Sequence, residues 1–405
     1  MPVTLTPSHS PALSPASLPA TLVNALYVHV PFCAHKCHYC DFYSITRQSP
    51  QRMAHFTDMV LAESAFWTNS PERSPAIRPR TIFFGGGTPS LLPLAEMQRL
   101  LNGLAKRFDL SAVDEWTVEV NPATATLDFC QMLRTAGVDR LSFGAQSFDP
   151  ADLALLERHH DPSDVPRSLS IAREAGFSRL NLDLIYAVPG QTVQSWLGSL
   201  ATAMELNTPH LSCYGLTYEP NTPLAVRRRM GRVNPVDEAV ELEMLHRTRQ
   251  ILADAGRPAY EISNYAIAGE ECRHNLHYWT GGNYLGLGPA AASHVDGWRW
   301  RNRPHLGEWE RAVESGQLPA IEIETLSPQR RQGELAMLML RLSGGLNYAG
   351  FASRTGHDAR NLFAPVIDRL VRNGLLNRDE HALRLTDRGL EVADAVSAEF
   401  LQPCE

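Results

Sequence analysis

Lysine is almost missing from this chain of 405 residues: Lys36 and Lys106 are the two present, so nearly every cation is arginine. A composition bias of the source genome explains that more simply than a function does. Cations are outnumbered as well, 37 lysines and arginines against 44 acids. The net charge of -7 and pI near 6.1 argue against general affinity for nucleic acid or for acidic membrane surfaces. No apolar run approaches the length that spans a bilayer. No G-x-S-x-G supports a serine hydrolase, and no internal repeat is visible beyond an alternation of strand-like and helix-like segments. A hydrophobic content of 44% is ordinary for a globular protein and sufficient for two or three packed units. Residues 1–23 hold proline, serine and threonine but no Asp, Glu, Lys or Arg. They lack a basic leader and a long apolar core, so they read as a disordered lead-in rather than a targeting peptide, and a reducing cytoplasm is the expected compartment.

What the chain does have is CAHKCHYCDF at residues 33–42, with Cys33, Cys37 and Cys40 close together and no second cysteine pair; Cys130, Cys213, Cys272 and Cys404 are scattered singly. A structural zinc site wants four ligands, which His35 or His38 could complete. Three thiolates can instead hold three irons of a [4Fe-4S] cube and leave the fourth iron open. A disulfide fits least, because three is odd and no secretory signal is evident.

Apolar, β-branched runs recur at residues 25–30, 81–86, 116–120, 140–146, 179–186 and 210–216, separated by helix-like stretches at 50–68, 94–107, 126–136, 164–176 and 192–206. Near-continuous apolar strands with helical connectors predict a parallel sheet covered on both faces, here six βα units forming an open or partial barrel. The polar outliers then fall after or within the strands: the cysteines after the first, Gly85–Pro89 after the second, Glu119 in the third, Gln146 ending the fourth and Asp183 in the fifth. Ligand sites of parallel barrels lie at the strands' carboxyl ends, so these residues would meet at one mouth. Residues 221–325 read as an irregular extension with a helix at 235–255. From 326 to 405, helix, turn, helix and hairpin suggest a winged-helix-like unit. Residues 321–405 hold ten arginines against twelve acids, which favours a packing or lid module over DNA binding.

GGGTP at 85–89 either lets a ligand approach the backbone or makes a tight turn. Glu119 and Asp183, acids in apolar strands, need partners: ligand hydroxyls, a ligand ammonium, or an arginine such as Arg140, Arg158 or Arg179. His274, in HNLHYW at 274–279, could ligate haem iron; by residue type alone, an aromatic segment packed on the barrel with a hydrogen-bonded histidine is the commoner arrangement.

The C-x3-C-x2-C loop after the first strand resembles the signature of the radical S-adenosylmethionine (SAM) superfamily. LYVHVPFC, FFGGGTPS, VEVNP, SFGAQSFD and LDLIYAVPGQT are similar, in the same order, to words of the oxygen-independent coproporphyrinogen III oxidase family. The resemblance implies a radical-SAM barrel with a C-terminal α/β extension, a cluster on Cys33, Cys37 and Cys40, and a SAM site. It maps Tyr27 and Tyr39 to an aromatic pair near the cluster, and Gly86, Gly87 and Thr88 to the loop that receives the methionine end of SAM. Glu119, Gln146, Arg158 and Asp183 map to polar contacts around the same cofactor. True oxidases of the family carry a further cysteine two positions after the third ligand, whereas Cys40 here is followed by Asp41 and Phe42. The H-N-x-x-Y-W word resembles the haem-chaperone branch, which implies haem uptake and transfer to acceptor haemoproteins, with His274 as the candidate haem ligand. The rival implication is an oxidase that decarboxylates propionate side chains. A homodimer is compatible with either.

Overall fold

The computed structural model describes residues 13–68 and 75–401. Its centre is six parallel strands in sequential order, β1 (Leu22–Val30), β2 (Ala76–Gly86), β3 (Glu115–Val120), β4 (Arg140–Gln146), β5 (Arg179–Tyr186) and β6 (His210–Gly215). Connecting them are α1 (Pro50–Phe66), α2 (Leu94–Arg107), α3 (Leu127–Thr135), α4 (Pro150–Leu155) with α5 (Asp164–Glu174), and α6 (Val193–Glu205). The partial barrel of six βα units expected from the strand pattern is therefore present, and the short α4 is the connecting helix that pattern did not anticipate. Local chemistry explains the helices. In α2, Met97, Leu100, Leu101 and Leu104 fall at helical spacing and are all buried. Thr126 caps α3 by accepting from Phe129 N, and Thr192 with Ser195 forms a capping box before α6. Fully buried Phe84 and Phe143 from the strands and Phe56 and Trp196 from the helices belong to one continuous core.

The segment expected to be irregular instead extends the same sheet. After α7 (Pro223–Arg229) and α8 (Glu238–Asp254), β7 (Asn264–Ala266) pairs antiparallel with β6 at one edge. After α9 (Arg273–Trp279), β8 (Tyr284–Leu287) pairs parallel with β1 at the other edge. There, β9 (Ala292–Val295), β10 (Trp298–Asn302) and, after α10 (Leu306–Glu314), β11 (Ala320–Thr325) complete eleven strands. HNLHYW lies wholly within α9. The lead-in reading also needs correction where it can be compared: residues 1–12 lie outside the described residues, but Leu18 is buried in the core and β1 has begun by Leu22.

The C-terminal unit runs α11 (Pro328–Leu340), β12 (Leu346–Asn347), α12 (Tyr348–Thr355), α13 (Ala359–Leu362), α14 (Ala364–Arg372), β13 (Leu376–Arg378), β14 (Ala382–Leu385), α15 (Asp387–Glu391) and α16 (Ala393–Ala398). Its three strands form a separate small sheet over a separate core around Leu340, Phe351, Leu383 and Phe400. It is tied to the barrel near α9: Arg341 lies over the Trp279 ring at 4.8 Å, and Arg354 donates to the Gly281 carbonyl at 3.2 Å.

Candidate functional site

The cysteine loop leaves β1 at its carboxyl end and is fastened from several sides. Cys33 N donates to Ile45 O at 2.9 Å, His38 N to Leu156 O at 3.2 Å, and Leu224 N to His38 O at 2.9 Å. The glycine loop is stitched to the same segment, with Gly87 N donating to Val30 O at 2.8 Å and Thr88 N to Phe32 O at 2.7 Å. A Cβ on Gly87 would sit 2.7 Å from both carbonyl oxygens. This glycine thus permits an approach of protein backbone to protein backbone, and its effect is to position the loop that carries the thiols. Gly85 makes room for a side chain, since a Cβ there would lie 3.0 Å from the Glu119 carboxylate. Gly86, at φ +103, has a backbone conformation that side chains disfavour, and its N–H donates to Glu119 Oε2 at 3.2 Å.

The three sulfurs are half-buried and free. They are not gathered on one point as the ligands of a single zinc would be: the described trio of His, Cys or acid side chains whose ligand atoms all lie within 4.8 Å is a different one. His35 and His38, the fourth-ligand candidates for zinc, face Glu157 instead. Three thiols that each bind a different iron need no common point, so the arrangement fits a cluster better. Burial raises the Cys33 thiol and pushes Cys40 up to about 11. Bound iron would reverse that balance, because a coordinating thiol is deprotonated outright. Arg158 Nη1 lies 3.7 Å from Cys37 Sγ, and Thr88 Oγ1 lies 3.5 Å from Cys33 Sγ.

Arg158 is held by the end of α4 and not by a helix of its own. Its N–H donates to Leu153 O at 2.9 Å and that of Glu157 to Ala154 O at 3.2 Å, a Schellman cap with Glu157 left-handed at φ 56. The guanidinium reaches Gly144 O at 2.6 Å, while its Nε is buried without a partner. Gln146 also is left-handed, φ 66, beside a register shift between β4 and β5. Strained residues at a strand end are a frequent mark of a binding site.

Glu119 and Asp183 settle the question of their partners. Arg179 pairs with Glu115 and Asp139, each at 2.8 Å, and with Glu270 at 3.1 Å. Arg158 serves Gly144 and Cys37. Among the described residues neither Glu119 nor Asp183 has an ion pair; Asp183 accepts from Ser142 Oγ at 3.1 Å and Asn181 Nδ2 at 2.8 Å. Burial, with Asp183 nearby, pushes Glu119 up to about 8, and burial raises Asp183. Both, like Tyr27, Tyr39 and Arg158, lie deep in the fold yet keep some accessible surface, as side chains lining a cleft do. The Tyr27 hydroxyl bonds His29 Nδ1 at 3.0 Å, and Tyr39 packs with Leu156, Ile185 and Leu216.

His274 lies elsewhere. Its ring nitrogens are both engaged, Nδ1 with Thr81 Oγ1 at 2.9 Å and Nε2 with the Tyr278 hydroxyl at 2.8 Å, and burial lowers it to about 3. Glu119 and His274 share one face of β2, the acid beside Gly85 and the imidazole beside Thr81 and Phe83. As placed, His274 is the hydrogen-bonded histidine of a packed aromatic helix, and iron ligation would require it to surrender one of these bonds. The residue that positions this helix, Glu115, was not singled out from the sequence. Its carboxylate accepts from the N–H groups of Arg273 and His274, each at 3.0 Å, and pairs with Arg179. An acid opening an apolar strand, EWTVEV, was the available signal.

Comparison with known proteins bears on this geometry. Residues 27–203 match the model of the radical SAM superfamily, and residues 326–392 that of the HemN C-terminal domain. Heme chaperone HemW of Lactococcus lactis is 32% identical over 93% of this chain and 97% of its own; HemW of Mycobacterium tuberculosis is 34% identical over 92% and 93%. The chain belongs to the HemW family. HemW of Escherichia coli is 40% identical over 67% of this chain and 70% of its own. The solved structure of E. coli coproporphyrinogen III oxidase, HemN, superposes with a TM-score of 0.82, covering 95% of this chain and 91% of that one at 24% identity, which shows a shared fold. The radical SAM match implies a [4Fe-4S] cluster and SAM. Among the described residues no helix is long and apolar enough to cross a membrane.

Proposed function

We propose that this protein takes up haem and passes it to acceptor haemoproteins, and that it carries a [4Fe-4S] cluster on Cys33, Cys37 and Cys40 beside a SAM site. The observation that carries the reading is the near end-to-end match to HemW relatives, whose name states haem chaperone activity. Asp41 and Phe42 after Cys40, where the oxidases resembled by this sequence have a further cysteine, support it. Gly86, Gly87 and Thr88 would receive the methionine end of SAM. Tyr27, Tyr39, Gln146 and Arg158 would line its cleft, and the unpaired carboxylates of Glu119 and Asp183 would accept hydrogen bonds from it. The cluster, when bound, offers an open iron to the amino and carboxylate groups of SAM. This chain's own part is to hold the thiols in register through Gly87 and to keep Arg158 against Cys37. His274 is the proposed haem ligand, reached if α9 releases Tyr278 from Nε2. Cytoplasmic residence follows from the same reading.

The test is anaerobic protein with its cluster reconstituted, given haem in one arm and coproporphyrinogen III, SAM and a low-potential reductant in the other. Stoichiometric haem binding, its loss in His274→Ala, and no protoporphyrinogen are expected. Protoporphyrinogen formed together with 5'-deoxyadenosine would make the protein an oxidase. Haem bound equally by His274→Ala would move the ligand elsewhere.

A further inference from the structure

His35, Glu157 and His159 form a second set of ligating groups beside the cysteine loop. Among the described residues they are the trio whose ligand atoms all lie within 4.8 Å of one another. Glu157 Oε2 is 3.3 Å from His35 Nε2 and 3.7 Å from His159 Nε2, and its other oxygen is 3.8 Å from His38 Nε2. His35 Nε2 is buried and, although near the carboxylate, is not aligned to hydrogen-bond with it. The His35 and His159 rings stack at 4.0 Å and 24°, which brings the two imidazoles together on one side of the Glu157 carboxylate. With bonds of about 2.0–2.1 Å, neighbouring ligands on tetrahedral zinc stand about 3.3 Å apart, close to the first of these separations.

The backbone adds an independent observation. Glu157 occupies the left-handed position of the Schellman cap after α4, where glycine is usual and a side chain is strained. The glutamate there has its carboxylate directed at three imidazoles.

We propose that His35, Glu157 and His159 bind a divalent transition-metal ion of the zinc class, with His38 or water completing the coordination. The ion would clamp the cysteine loop to the segment that carries Arg158. Imidazole and carboxylate ligands suit zinc, and three protein ligands with an open fourth position are a familiar zinc arrangement. The site is distinct from the thiols and does not depend on what the protein does with haem.

The experiment uses the full chain with its iron-sulfur cluster in place, equilibrated anaerobically with excess zinc sulfate and desalted. Zinc and iron are then measured together by mass spectrometry, and zinc affinity by competition with a chromophoric chelator. One zinc retained per chain at unchanged iron is expected, with affinity falling about tenfold or more in His159→Ala and in Glu157→Gln. His159 is 62% exposed, so its replacement leaves the fold intact even if that of Glu157 does not. No retained zinc, or equal affinity in His159→Ala, overturns the proposal. Zinc gained at the expense of iron overturns it too, because the metal has then gone to the cysteines.

Discussion

Glu119 is a carboxylate with no ion-pair partner among the described residues, and its titration is the property that most directly tests its proposed role toward SAM. Burial and the neighbouring Asp183 raise its pKa from the ordinary 4.5 to about 8. The folded state therefore holds this proton more tightly than the unfolded chain. The resulting contribution to stability is present below about 4.5, declines as pH rises toward 8, and is fully lost above it. Glu119→Gln removes that dependence. In thermal unfolding of the protein without SAM, the variant should gain on the wild type between pH 5 and pH 8, and SAM affinity should fall about tenfold or more as a charged acceptor is lost. Parallel pH dependence in the two proteins would mean the carboxylate is solvated in the cleft and not strained. That Glu119 and Asp183 are buried acids was legible in VEVNP and LDLIY. That the nearby arginines would be engaged elsewhere was not, because ion pairs are made between side chains whose spacing in sequence carries no information: Arg179 meets Glu115, Asp139 and Glu270 across three separate segments.

Helix α9 shows the same limit at the scale of an element. The word HNLHYW was readable as special, yet the seven residues of α9, four of them aromatic or imidazole, are too few to be helical alone. The helix exists because Glu115 supplies a buried carboxylate to its first N–H groups, where the dipole favours negative charge. Burial opposes ionisation of Glu115, but Arg140, Arg179 and those N–H groups prevail and hold its pKa below the ordinary value. Its stabilising contribution is thus present above the usual carboxylate range and disappears as pH falls through it. Glu115→Gln should cost about 3 kcal/mol in denaturant unfolding at neutral pH, since it removes the fully buried partner of Arg179 and weakens the cap. Asp139→Asn, at a partner that is 28% exposed, should cost less than about 1 kcal/mol. Equal losses at the two positions would mean that the cap contributes nothing. By contrast, α2 was legible from the apolar periodicity of its own segment, and α6 from its apolar residues together with the Thr192–Ser195 cap.

At the scale of the molecule, the six central strands could be read because parallel strands buried on both faces are long and apolar. The four to five residues of β8, β9 and β10 hold Gly, His, Arg and Asn among their apolar residues and carry no such pattern. They are strands because β8 finds the open edge of β1, far away in sequence. The C-terminal unit reads from its sequence as winged-helix-like, and its surface bears on the choice between the two uses of such a fold. Binding to DNA depends on arginines free to meet phosphates. Here Arg330, Arg331, Arg341, Arg360, Arg369, Arg378 and Arg384 are each paired with an acid, and Arg354 is spent on the Gly281 carbonyl beside α9. On α14, the helix that precedes the hairpin, Arg369 pairs with Glu399 and Arg372 bonds the Asp368 carbonyl. A fluorescent duplex titrated with protein to about 10 μM in about 50 mM salt should therefore show no rise in anisotropy, conditions in which even non-specific DNA binders respond. Arg341→Ala, which removes the stacking on Trp279, should instead loosen the unit from the barrel and raise hydrogen exchange in α9. Salt-sensitive binding of the duplex, with exchange in α9 unchanged by Arg341→Ala, would assign the unit to nucleic acid and not to the helix that carries His274.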